Sequence, residues 1–179
     1  MIKKPREYVL EHIPKNSVGA EIGVHLGNFS TKIINSASPK LLYLIDPWKT
    51  FEDEKYKDSW YGSKTTQEEM DERYHTVVKK FQKNNVKILR NFSLEAAKEI
   101  PDNSLDWVYI DGDHSFEGSY NDLTTYYNKV KRGGFIYGDD YNIDKWWNTG
   151  VVDALHKVLY EKDLKIVFLL GNQFCCKKL

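Results

Sequence analysis

Short apolar runs alternate along this chain with segments whose apolar residues recur every three or four positions, the mark of strands interleaved with helices. Ser17–Ile22 reads as a first strand, Leu41–Ile45 as a second and Val86–Leu89 as a third, with Leu105–Ile110 and Phe135–Tyr137 following as the fourth and fifth. Met70, Tyr74, Val77, Val78 and Phe81 fall on one helical stripe, and Tyr120, Leu123, Tyr127 and Val130 on another. A first helix opens at Pro5 and stops near Ile13, because Pro14 disfavours helical geometry in the residue before it. Ser93 suits the N-cap of a short helix ending before Pro101. The ending breaks the rhythm. After a helix bearing Val151, Leu155, Val158 and Leu159, the strand-like runs Lys165–Leu170 and Gln173–Lys177 are separated only by Gly171-Asn172, a two-residue hairpin. The pattern predicts a Rossmann-like, doubly wound α/β sheet of seven strands, mostly parallel, with a terminal antiparallel hairpin strand.

No repeat, low-complexity tract or Pro/Gly/Ser linker interrupts the 179 residues, so one domain is expected over 1–179, with 1–16 as an N-terminal helical segment. Apolar residues at 41% and aromatics at 14% provide for a globular core. Lys plus Arg equals Asp plus Glu at 26 each, so no global field draws a polyanion and nucleic acid is not the expected partner. The sequence contains no run of 18 apolar residues and its start, MIKKPREYVL, is too charged for a signal peptide or a membrane span. The only cysteines, Cys175 and Cys176, are neighbours that point to opposite faces of a strand, a poor disulfide and a poor metal site. A reduced, cytoplasmic setting is the expectation.

Candidate chemistry gathers where strands end. Glu21-Ile-Gly23-Val-His-Leu-Gly27 follows the first strand and leads into a helix, with glycines that let backbone approach a ligand at the carboxyl edge of the sheet. The glycine spacing is not that of the dinucleotide fingerprint, and Glu21 puts a carboxylate there that suits a cationic or amine-bearing ligand. Asp46 ends the second strand, placed to accept ribose hydroxyls. Asp111 closes the fourth strand, and Asp139 and Asp140 close the fifth. Adjacent strands lie about 4.8 Å apart, so the three carboxylates can converge. Left alone they would repel one another, and hard oxygen donors in that number suit Mg²⁺, Mn²⁺ or Ca²⁺ rather than zinc.

The ordered motifs EIGVHLGNFS, LIDPW, NFSLEAA, YIDGDHSFEG and GGFIYGDDY resemble class I S-adenosylmethionine-dependent methyltransferases, in particular the macrocin-type O-methyltransferase group, over about residues 17 to 178. That resemblance implies the strand order 3-2-1-4-5-7-6. It implies S-adenosylmethionine as cofactor, with Glu21, Gly23 and Gly27 near its methionine part, Asp46 at the ribose, and Asn91 and Ser93 near the adenine. It also implies a divalent cation on Asp111, Asp139 and Asp140, with His114 or Asp113 as the base. His114 is favoured by its spacing from Asp111 and by an imidazole's match to neutral pH.

The expected reaction is metal-assisted O-methylation of a small-molecule hydroxyl, on a sugar or polyhydroxylated compound. A nicotinamide-dependent oxidoreductase and a non-catalytic S-adenosylmethionine-binding protein are the competing readings. Two features bear on the acceptor. The aromatic-rich stretch 48–65, with Trp48, Phe51, Tyr56, Trp60 and Tyr61, reads either as a lid or as packing against the helix of 66–81 or a second subunit. Tyr141, Trp146 and Trp147 follow the paired aspartates and are placed to line an acceptor pocket. Only about 16 residues precede the first strand, a shortage that a homodimer partner would offset.

Overall fold

Strands β1 (Val18–Ile22), β2 (Leu41–Asp46), β3 (Val86–Arg90), β4 (Leu105–Ile110), β5 (Val130–Gly138), β6 (Leu164–Leu170) and β7 (Gln173–Lys178) form one sheet in the order β3-β2-β1-β4-β5-β7-β6. The first five run parallel, and β7 pairs antiparallel with both β5 and β6. The structure, a computed structural model, describes residues 4–179 except 58, 60, 63, 84 and 144–146. Trp60 and Trp146 therefore lie outside the described residues.

Among the described residues, six α-helices cover the sheet: α1 (Pro5–His12), α2 (Asn28–Ala37), α3 (Gln67–Phe81), α4 (Ser93–Ala96), α5 (Phe116–Lys129) and α6 (Gly150–Glu161). Side chains alternate across a strand, so each strand feeds two cores. Leu42, Leu44, Trp107 and Tyr109 join Val9, Ile33, Met70 and Val77 from α1, α2 and α3 on one face. Ala20, Ile22, Val108 and Ile110 join Ala96, Leu123 and Leu155 from α4, α5 and α6 on the other. The adjacent cysteines follow the same rule: Cys175 belongs to the first cluster and Cys176 to the second, both buried and free.

Two elements depart from the apolar pattern. β5 starts at Val130, five residues before the predicted strand: Val130 pairs with Leu105 and Phe135 with Trp107, so the polar Lys131–Gly134 stretch bulges out of the ladder between them. Ser93 is the first residue of α4 rather than its cap; its hydroxyl donates to the buried Asp122, and its carbonyl accepts from the Tyr126 hydroxyl. α3 does carry a reciprocal cap, with the Glu69 amide donating to Thr66 Oγ1 and the Thr66 amide to Glu69 Oε2. Among the described residues, no helix is long and apolar enough to cross a membrane.

Candidate active site

Register brings the chemistry to one edge. Ile22 pairs with Ile45 and Ile110, and Ile110 pairs with Gly138, so β1, β2, β4 and β5 finish level. The ladder continues one residue further, with Gly23 N donating to Ile45 O, Asp111 N to Ile22 O and Asp139 N to Ile110 O. Glu21, Asp46, Asp111 and Asp139 therefore stand along a single carboxyl edge. Such an edge, where strand order reverses at β1, is where open α/β sheets take ligands.

The loop after β1 is shaped for close approach. Gly23 has φ +84°, and a side chain there would run into the Asp111 carbonyl oxygen, so only glycine lets β1 and β4 end this close together. His25 (φ +53°) and Gly27 (φ +67°) hold the rest of the turn before α2. Burial, helped by Arg73, pushes the His25 imidazole down to about 4, so it stays neutral at physiological pH.

Glu21 is 1% exposed. Its Oε2 and the neighbouring Ser30 hydroxyl are buried without a well-formed hydrogen bond among the described residues. Desolvation lifts the Glu21 pKa to about 8, with Ser30, Arg6 and Lys80 offsetting only part of the effect. A buried carboxyl with an unused oxygen beside a glycine turn fits an amine-bearing ligand, and thus the methionine end of S-adenosylmethionine.

Asp46 is equally buried, which raises its pKa against four hydrogen bonds that lower it. Its Oδ1 accepts from the Trp48 amide at 2.7 Å, and Oδ2 from the Val24 amide at 3.0 Å, the His25 amide at 2.9 Å and the Tyr61 hydroxyl at 2.5 Å. It ties the β1 and β2 turns together. Beyond β3, Asn91 lines a cleft of about 360 Å³ with Trp48, Lys49, Gln67, Arg90 and Phe92. Ser93, bonded inward to Asp122, is not part of that lining.

The structure divides the acid cluster in a way that spacing alone did not. Asp139 points inward and is tied off: Arg6, Asn172 and Gln173 donate to its oxygens, and its Oδ1 also accepts the Asp140 amide at 2.8 Å. Arg6, from the first turn of α1, bridges Asp139 to Asp111, whose Oδ2 lies 2.8 Å from its guanidinium. The mutual repulsion expected of three carboxylates is thus relieved in part by a cation of the protein itself. His114 takes the place beside the acids that spacing gave to Asp139. Donor atoms of Asp111, His114 and Asp140 all lie within 4.8 Å of one another, and His114 Nε2 is 3.3 Å from Asp140 Oδ2. Asp140 reaches this point from a left-handed backbone (φ +56°). Burial and the Asp139 charge hold the Asp111 pKa well above the usual carboxylate range.

Asp113 is committed elsewhere. Its Oδ1 accepts the Ser115 amide at 2.9 Å at the start of α5, and its Oδ2 accepts the Tyr56 hydroxyl at 2.6 Å. Trp147 is buried with its ring 5.0 Å from that of His114. Tyr141 packs on Phe174 and hydrogen-bonds His156 at 2.9 Å. Arg6, Tyr56 and Tyr61 all reach the site without belonging to any motif.

The sheet order and its likeness to solved structures define a Rossmann-like methyltransferase fold. A family profile described as a methyltransferase domain matches residues 20–141, and the chain belongs to that family. Family and fold together support S-adenosylmethionine-dependent methyl transfer. Among solved structures, a putative methyltransferase from Streptococcus mutans in complex with SAH aligns over 100% of both chains at 15% identity, with a TM-score of 0.67. A putative rRNA-methylase from Clostridium thermocellum aligns over 100% of both chains at 14% identity and a TM-score of 0.67. A precorrin-6y C5,15-methyltransferase from Geobacter metallireducens covers 97% of this chain and 87% of its own at 16% identity, with a TM-score of 0.63. An uncharacterized protein of Acanthamoeba polyphaga mimivirus is 35% identical over 80 residues, 42% of this chain and 35% of the relative. The match thus spans about a third of that relative's length.

Proposed function

We propose that this protein transfers the methyl group of S-adenosylmethionine to a hydroxyl of a small molecule, such as a sugar or polyhydroxylated compound, with Glu21 holding the cofactor's amino group and His114 taking the acceptor's proton. The observation that carries this reading is the pairing on one edge of an under-satisfied buried Glu21 with the Asp111, His114 and Asp140 cluster. The cofactor supplies a methyl already activated on a sulfonium. The chain's work is therefore to place donor and acceptor in line and to remove one proton. When bound, S-adenosylmethionine would supply the methyl and keep the electron pair of the broken C–S bond, while His114 Nε2 would take the acceptor's proton. Asp140, 3.3 Å from that nitrogen, stabilises the imidazolium so formed.

Asp111 and Asp140 also offer oxygen donors that fit Mg²⁺ or Mn²⁺, with His114 kept for the proton and Asp139 reserved for Arg6, Asn172 and Gln173. When bound, the ion lowers the pKa of an acceptor hydroxyl.

Calorimetry tests the cofactor. S-adenosylhomocysteine is expected to bind at micromolar levels and NAD hardly at all; tight NAD binding without S-adenosylhomocysteine binding would put the protein in another class. The reaction itself is tested by transfer of a labelled methyl group to a panel of sugars and catechols, with and without EDTA. Thermal unfolding tests the ion. Millimolar Mn²⁺ should raise the midpoint of the wild-type protein by mass action, and Asp140→Ala should abolish the shift. Asp139→Ala should instead lower the midpoint without metal, since Arg6, Asn172 and Gln173 each lose a carboxylate acceptor. A Mn²⁺ shift that survives an Asp111→Ala/Asp140→Ala double variant places the ion elsewhere.

A further inference from the structure

Asp46 Oδ2 has no acceptor position to spare. A carboxylate offers about two lone-pair sites on each oxygen, and of the four donors that converge on this one, three crowd onto Oδ2 while the Trp48 amide takes Oδ1. Three are backbone amides of the turns that build the edge, and they cannot leave without dismantling it. The fourth is the Tyr61 hydroxyl, on the connection between β2 and α3. On the cofactor reading above, on which this step rests, the ribose hydroxyls require the same carboxylate. We infer that the Tyr61 hydroxyl is a place-holder for a cofactor ribose hydroxyl, and that the connection bearing it must shift before the cofactor seats.

This connection has a built shape. The Phe51 amide donates to the Tyr61 carbonyl at 2.8 Å, and the Phe51 ring packs 4.9 Å from Tyr56 and 6.0 Å from Phe92. A side chain at Gly62 would collide with the Tyr56 carbonyl, so the fold-back needs glycine at that point. The same body reaches the acceptor side, where the Tyr56 hydroxyl donates to Asp113 in the loop that carries His114. Displacing Tyr61 therefore disturbs Tyr56 and loosens the grip on the acceptor loop. Cofactor would bind first, and its arrival would open the way for the acceptor.

The test measures S-adenosylhomocysteine binding to wild type and Tyr61→Phe by calorimetry and stopped flow. Phenylalanine keeps the ring packing and removes only the competing donor, so affinity should tighten about tenfold, mainly through faster association, because a larger fraction of the protein is already competent. A variant that binds with unchanged or weaker affinity while wild type binds normally overturns the place-holder and leaves the cofactor reading intact. If neither protein binds, both fall. Tyr56→Phe separates the two ends: it should speed acceptor entry, read as a lower KM, with a smaller change in S-adenosylhomocysteine affinity. An unchanged KM disproves the link to the acceptor loop.

Discussion

Glu21→Gln is expected to stabilise the unliganded protein at alkaline pH while weakening S-adenosylhomocysteine on the order of a hundredfold. Both effects come from one buried carboxyl. Desolvation raises the Glu21 pKa from 4.5 to about 8 in the folded protein. The folded state then holds a proton that the unfolded chain releases, so stability is greatest below about pH 4.5 and falls as pH rises through 8. A tenfold difference in proton affinity between the two states corresponds to about 1.4 kcal/mol, so the accumulated cost above pH 8 is on the order of 3–5 kcal/mol. Glutamine has no charge to desolvate and escapes it. The midpoint of Glu21→Gln should therefore exceed wild type by several degrees at pH 8.5, with the difference closing towards pH 5. Binding has the opposite sign. A cofactor ammonium drawn to Glu21 must expel its proton, so wild-type affinity should rise with pH through 8, and calorimetry in buffers of different ionisation enthalpy should register proton release near neutrality. In the variant this linkage disappears, along with a charged hydrogen bond worth about 1.5–3 kcal/mol. Equal affinity in the two proteins, with no buffer dependence in either, would move the amino group away from Glu21.

The sheet was readable because its signal is local and repeated. Apolar runs at β1, β2, β4 and β7 are bounded by turn residues, and only the polar Lys131–Gly134 stretch hid the start of β5. Strand ends were legible for the same reason, and Glu21, Asp46, Asp111 and Asp140 stand at or just beyond them. Side-chain direction beyond the strand ends was not. Nothing in Asp139-Asp140 says that the first turns inward to Asn172 and Gln173 while the second, in a left-handed backbone, turns towards His114. Arg6 lies 105 residues from Asp111 and 133 from Asp139, on a helix whose period explains Val9 but not Arg6. Contacts of that sequence separation follow from the packing of α1 against the sheet, which no motif encodes. Within the stretch 48–65, packing against the helix holds for Trp48. Trp48 is core, fully buried and 5.3 Å from Tyr74 of α3, while Tyr56 and Tyr61 cap carboxylates at the site.

His114→Ala is expected to cost 10²- to 10⁴-fold in kcat, the usual range for loss of a general base. The geometry separates it from Asp113, the other candidate in the same loop. Asp113 has one oxygen on the Ser115 amide and the other on the Tyr56 hydroxyl, so it starts α5 and anchors the connection above the site. His114 instead faces Asp140 and the Trp147 ring, with an acid placed to hold the imidazolium that a proton transfer creates. Asp113→Asn keeps one carbonyl acceptor and should stay within about tenfold of wild type in kcat, with its larger effect on KM through the released Tyr56. The acidic limb of the pH–rate profile should flatten in His114→Ala, and added imidazole should restore part of the rate. Thermal response to Mn²⁺ divides the two roles that this residue can play. If Asp111 and Asp140 hold the ion and His114 moves the proton, the Mn²⁺ shift persists in His114→Ala while turnover collapses. Loss of the shift together with turnover makes His114 a ligand, and a near-normal rate in His114→Ala beside a dead Asp113→Asn exchanges the two residues' parts.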